Sequence, residues 1–200
     1  MMQGSDSLRV TLWVFLFCLY GATVMAHGRL IIDDRGSGTL EAALGPSWYM
    51  VMDGVMGGVS SGTLAPASVE QRDCLRLQGD VRLENNGGFV KASLDIEDTT
   101  ARDAAGYSGI VIEVYGNNEA YSLHLRSGDL WLPWQSYRST FEAPARWQTL
   151  QLPFAEFSAY RTSKPLDVAE LELIGIVAIG RAFTADVCIG RIGYYQEISD

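Results

Sequence analysis

The sequence predicts an all-β fold, a two-sheet sandwich or jelly roll of about nine or ten mostly antiparallel strands. Three observations predict it. Apolar and polar residues alternate with a period of two along several short segments, which places one strand face in a core and the other in solvent. Glycine is abundant, 21 of 200 residues against 6 prolines, as many tight turns require. Long helical periodicity is absent.

The clearest alternation lies in Cys74–Leu83. Leu75, Leu77, Val81 and Leu83 share one face, and Cys74, Arg76, Gln78, Asp80 and Arg82 share the other. Gly109–Gly116 is more uniformly apolar, through Ile110, Val111, Ile112 and Val114, and reads as a central strand. In Tyr121–Arg126, Tyr121, Leu123 and Leu125 face a core while Ser122, His124 and Arg126 face away. Leu150 and Leu152 alternate with Thr149 and Gln151 in Trp147–Leu152. Leu173–Gly180 and Asp186–Tyr195 are two further β-rich runs. Asn85-Asn86-Gly87-Gly88, Gly116-Asn117-Asn118 and Ser127-Gly128-Asp129 tolerate positive φ and read as hairpin connections. Short helical turns fit Thr100–Ala105 and Phe154–Ala159.

Residues 1–26 read as a secretory signal peptide. Arg9 precedes the apolar stretch Val10–Tyr20, and Val24-Met25-Ala26 fits a small-x-small cleavage site. Residues 27–200 then form a single domain, exported to the periplasm or beyond the cell. The alternative is an uncleaved segment that anchors the chain in a membrane. A net charge of −9 argues against nucleic acid and against an anionic membrane surface. Export leaves two cysteines, Cys74 and Cys188, able to pair in an oxidising compartment. Two unpaired thiols are the preferred reading, because a disulfide needs narrow geometry.

The most distinctive stretch runs from Trp48 through Asp53, Gly54, Met56, Gly57 and Gly58 to Ser60. It lacks the Gly-Lys-Ser/Thr end of a phosphate loop. Its simpler reading is a structural corner in which Asp53 caps backbone amides. Its functional reading is a binding loop at one end of the sandwich. The best candidate for a ligand or partner site is Trp131, Trp134 and Tyr137, with His124 and Arg126 on a nearby polar strand face. Flat rings beside polar groups suit sugars or peptide side chains. Packing at a sheet edge is the plainer account.

Catalysis finds little material. There is no Gly-x-Ser-x-Gly elbow, and His27 and His124 are the two histidines. Asp33-Asp34 and the pair Glu84 and Asp95 offer oxygen ligands for calcium, but solvated surface carboxylates are the preferred reading. No metal site and no cofactor is assigned.

Several blocks in order carry a family resemblance. They are Trp48 with Asp53-Gly54-Val55-Met56-Gly57-Gly58-Val59-Ser60, Asn86-Gly87-Gly88-Phe89, Tyr107-Ser108-Gly109-Ile110, Trp147-Gln148-Thr149-Leu150-Gln151-Leu152-Pro153-Phe154, and Ile174-Gly175-Ile176. Together they resemble the complex I intermediate-associated protein 30 family. The resemblance implies a galactose-binding-like β-sandwich and a non-catalytic, chaperone-like role in assembly. It places the residues Gly87, Gly88 and Phe89 in the family motif. The chain departs from the family pattern at Tyr160-Arg161-Thr162-Ser163 and at Gly116-Asn117-Asn118-Glu119. The expected function is therefore a binding or assembly module that holds a partner protein. The alternative is an exported carbohydrate-binding module that uses an aromatic sheet face.

Overall fold

The computed structural model describes residues 28–197. The signal peptide read at residues 1–26 lies outside the described residues. Two six-stranded antiparallel sheets pack face to face. The first contains β1 (Arg29–Asp33), β3 (Ser61–Val69), β4 (Arg72–Val81), β6 (Gly109–Gly116), β9 (Gln148–Pro153) and β12 (Phe183–Tyr195). Its order is β3-β4-β12-β6-β9, and β1 pairs with the C-terminal half of β12. The second contains β2 (Tyr49–Met52), β5 (Phe89–Asp95), β7 (Glu119–Ser127), β8 (Ser136–Ala143), β10 (Ser158–Tyr160) and β11 (Leu171–Ile179). Its order is β10-β8-β7-β11-β5-β2.

The predicted fold class holds, with more strands than the nine or ten expected. The additions include edge strands with weak signals. β10 has three residues, and β3 carries Pro66 with no side chain fully buried. Proline at a sheet edge costs no ladder bond. The alternating segments point as their periodicity predicts, except at Leu83, which lies beyond the end of β4 and is half-exposed instead of sharing the buried face. Leu75 and Leu77 of β4 meet Leu123 and Leu125 of β7 in one buried cluster, together with Ile110, Ile112, Ile174 and Ile176. The two helical turns are shorter than read: α1 (Thr99–Arg102) is capped by the Asp98 carboxylate, and a 3-10 turn at Phe154–Glu156 gives way to β10, which takes Ser158 and Ala159.

Two hairpin expectations are corrected. Asn85 and Asn86 do adopt positive φ, 57° and 58°, but they link β4 to β5, which lie in opposite sheets. Gly116-Asn117-Asn118 likewise carries the chain from β6 in one sheet to β7 in the other. A turn signal reports that the chain reverses; the strand partner is set by which buried face must meet which. The third expectation holds, since β7 and β8 pair across the loop that starts at Ser127-Gly128-Asp129.

The cysteine reading is also corrected. Cys74 and Cys188 form a disulfide with Cα atoms 5.4 Å apart. β4 and β12 pair side by side, so the two residues meet across neighbouring strands. Cys74 is on the outer face of β4, as its phase predicts, yet it is buried. The 114-residue separation hides this proximity from the sequence.

Candidate functional site

The glycine-rich motif is built around one buried carboxylate. Asp53 opens a 3-10 turn, Asp53–Met56, that Gly57 closes at φ 87°. Its Oδ1 accepts the Ser60 amide at 3.0 Å. Its Oδ2 accepts the Ser60 hydroxyl at 2.5 Å, the Gly88 amide at 2.5 Å and the Phe89 amide at 3.3 Å. A β-carbon at Gly58 or Gly87 would run into this carboxyl group. Burial pushes the Asp53 pKa up, but the bonds from Ser60, Gly88 and Phe89 outweigh it and hold the group below its ordinary value. Asp53 thus ties the two family motifs together, as the structural-corner reading predicts.

A second buried carboxylate anchors Trp48. Asp33 Oδ2 accepts the Trp48 indole N–H at 2.7 Å, and Asp33 also pairs with the buried Arg35. Asp33 is therefore a core group, which corrects its reading as a solvated surface carboxylate. Asp95 accepts the Tyr49 hydroxyl at 3.0 Å, and Glu84 pairs with Arg82.

A cleft of about 610 Å³ lies on the outer face of the second sheet. Its lining includes residues from all six strands: Val51, Lys91, Val177, His124, Arg138 and Tyr160. With strands about 4.8 Å apart, it crosses roughly 24 Å of sheet. One wall is the motif loop, through Val55, Met56, Gly87 and Gly88. The other is Pro133, Trp134 and Gln135 of the β7–β8 loop. The glycine-rich segment is thus structural on its Asp53 side and a cleft wall on its outer side.

The predicted site residues divide. His124 and Trp134 both line the cleft, and Trp134 is half-exposed at 49%. Arg126 borders it, but its guanidinium is committed. It donates to the carbonyls of Leu132 at 2.6 Å, Gln135 at 2.9 Å and Leu130 at 2.9 Å, and so holds the loop that carries the tryptophans. Trp131 is 87% exposed and stands outside the cleft lining. Tyr137 is corrected: it points into the core, and its hydroxyl donates to the Pro165 carbonyl at 2.8 Å. Its alternation with Ser136 and Arg138 carried that information.

Lys91, Arg138, Tyr160 and Arg161 were missed. The same alternation signals two of them, because Lys91 sits between buried Val90 and Ala92, and Arg138 between buried Tyr137 and Ser139. Tyr160 and Arg161 fall where the chain departs from the family pattern. The Arg138 guanidinium lies 3.4 Å from the Tyr160 ring centre, and that of Arg161 lies 5.4 Å away on the same ring. Burial, followed by repulsion from Arg138 and Lys91, pushes the His124 pKa down to about 3. Burial, then repulsion from Arg126 and Arg138 against attraction to Asp95, brings Lys91 down to about 8. His124 is neutral at pH 7, and among the described residues its Nε2 has no hydrogen-bond partner.

Residues 41–186 match the family described as Complex I intermediate-associated protein 30 (CIA30). The chain belongs to that family. No curated protein matches this CIA30 chain in sequence. Its fold is similar to that of a family 11 carbohydrate-binding module from Clostridium thermocellum, solved in complex with a β-1,3-1,4-mixed-linked tetrasaccharide. That match has a TM-score of 0.68 and 12% identity, over 88% of this chain and 99% of the module. The family 11 module of the cellulosomal cellulase Lic26A-Cel5E of Clostridium thermocellum gives 0.67 and 13%, over 88% and 98%. The family 30 module of the cellulosomal cellulase Cel9D-Cel44B of the same organism gives 0.51 and 13%, over 68% and 84%. At such identities the likeness is one of fold, a galactose-binding-like jelly roll.

Proposed function

We propose that this CIA30 chain is a non-catalytic binding module that lays an extended saccharide across the outer face of its second sheet. The cleft carries this reading: it crosses all six strands and sets the rings of Trp134 and Tyr160 beside polar donors. The shared fold with carbohydrate-binding modules supports it. The apolar leader and the Cys74–Cys188 bridge support action in an exported, oxidising setting.

Titration calorimetry with a panel of defined oligosaccharides tests the proposal. Binding should be measurable for at least one, and Trp134→Ala should weaken it by about tenfold or more while the fold is kept. A panel without any binder sinks the reading. A second reading has its own observation. Val55 and Met56, 76% and 61% exposed, rim the cleft, and apolar residues in such numbers suit a protein partner. The family's name, which speaks of association with complex I intermediates, favours it too. A stoichiometric protein captured by the wild type and lost on Met56→Ser, with every saccharide silent, would establish that reading instead.

A further inference from the structure

The charge of the cleft is opposite to that of the chain. The protein carries a net charge of −9, yet among the described residues no aspartate or glutamate lines the cleft. Lys91, Arg126, Arg138 and Arg161 do. Arg126 is spent on carbonyls, which leaves three cations. Among the described residues, none of these three has a carboxylate within ion-pair distance; Arg29, Arg72, Arg146 and Arg191 also lack one but are exposed, whereas Lys91 and Arg138 are partly buried. Asp95, the acidic group whose attraction Lys91 feels, holds the Tyr49 hydroxyl.

The cations are arranged in a row across the sheet. Gly175 lies opposite His124, and His124 lies opposite Arg138. A β-carbon at Gly175 would strike the Lys91 side chain, so the glycine lets that chain lie across the sheet toward His124. Arg138 then continues to Tyr160 and Arg161 on the far side. Half-buried like charges without counter-ions cost stability. The unpartnered Nε2 of the buried His124 lies in the same row. A ligand that brings negative oxygen atoms satisfies the whole row at once.

We infer that the ligand is an acidic saccharide, whose carboxylate or sulfate group is held by Lys91, Arg138 and Arg161 while its ring rests near Trp134. This rests on the saccharide reading above and deepens it. Neutral His124 adds a hydrogen-bonding group to the row without adding to the repulsion among the cations there.

Calorimetry with four probes tests it: a tetragalacturonate, a sulfated tetrasaccharide, a neutral gluco-tetrasaccharide and a hexaglutamate peptide. An acidic saccharide should bind about tenfold or more tighter than the neutral one. That advantage should shrink as salt rises. The tetragalacturonate and sulfated arms report which anion is preferred. Lys91→Gln and Arg161→Gln should each remove most of the advantage of the acidic saccharide over the neutral one; Arg161 is exposed, so this variant guards against misfolding. Equal affinity for acidic and neutral saccharides overturns the inference while the saccharide reading stands. So does an acidic preference that both variants keep. Silence from all three saccharides, or preference for hexaglutamate, overturns the saccharide reading itself.

Discussion

Gly87 and Gly88 touch two charged environments, the buried Asp53 carboxylate on one side and the cationic cleft on the other. Asp53 is fully buried and receives four hydrogen bonds. Lys91 and Arg138 sit beside neutral His124 on the outer face of the second sheet, and among the described residues no carboxylate lines their cleft. A buried charge with a full set of partners stabilises the fold, because its desolvation is repaid inside the protein. A set of charges without partners stabilises nothing by itself, and its repayment must come from a ligand. The contrast separates a folding device from a binding surface within one glycine-rich neighbourhood.

The comparison breaks most sharply at Asp53. Asp53→Ala strands the Ser60, Gly88 and Phe89 donors and should cost about 3–5 kcal/mol in urea unfolding. A loss below about 1 kcal/mol would remove Asp53 from its structural role. Cys188→Ser opens the bridge between β4 and β12 and should cost about 2–5 kcal/mol, with the buried Cys74 thiol titratable by thiol reagents once the chain is unfolded.

Acid should find the cleft before it finds Asp53. His124 has a folded pKa of about 3 against an ordinary 6.5, so the unfolded chain binds the proton first as pH falls. Its contribution is intact above about pH 6.5 and is lost progressively below it, about 2 kcal/mol between roughly pH 7 and pH 5. His124→Gln should flatten that slope. The Asp53 carboxyl, held below its ordinary 3.8, loses its contribution only in stronger acid.

Lys91→Met should do the reverse of Asp53→Ala. It removes a half-buried cation without a partner and should raise stability by about 1 kcal/mol, while acidic-ligand binding falls. Trp131→Ala should have the smallest effect. At 87% exposure and outside the cleft, it should change stability by less than about 0.5 kcal/mol and leave saccharide binding unchanged. Parallel melting curves and titrations of the three variants check both statements.

Much of the fold was legible and rather less of the site. Alternation in Cys74–Val81 and Tyr121–Arg126 told inward from outward faces correctly, because the period of a strand is local geometry; it failed at Leu83, where the strand has already ended. It placed His124 on the outer face where the cleft lies. The same alternation showed Tyr137 pointing inward, yet aromatic density overrode it. Lys91, Arg138, Tyr160 and Arg161 are scattered over about seventy positions, on β5, on β8, and at and just beyond the end of β10. Nothing in their spacing announces that those strands share a sheet.

The sequence by itself determined the all-β class, the buried faces, the left-handed turns at Asn85 and Asn86, and the family motifs, since each depends on neighbours along the chain. Only the tertiary structure decided that those turns cross between sheets, that Cys74 meets Cys188, that Asp53 joins two distant motifs, and that unpaired cations form one row. These depend on strand order and register. Both are set by the simultaneous burial of two apolar faces, which is a property of the whole chain.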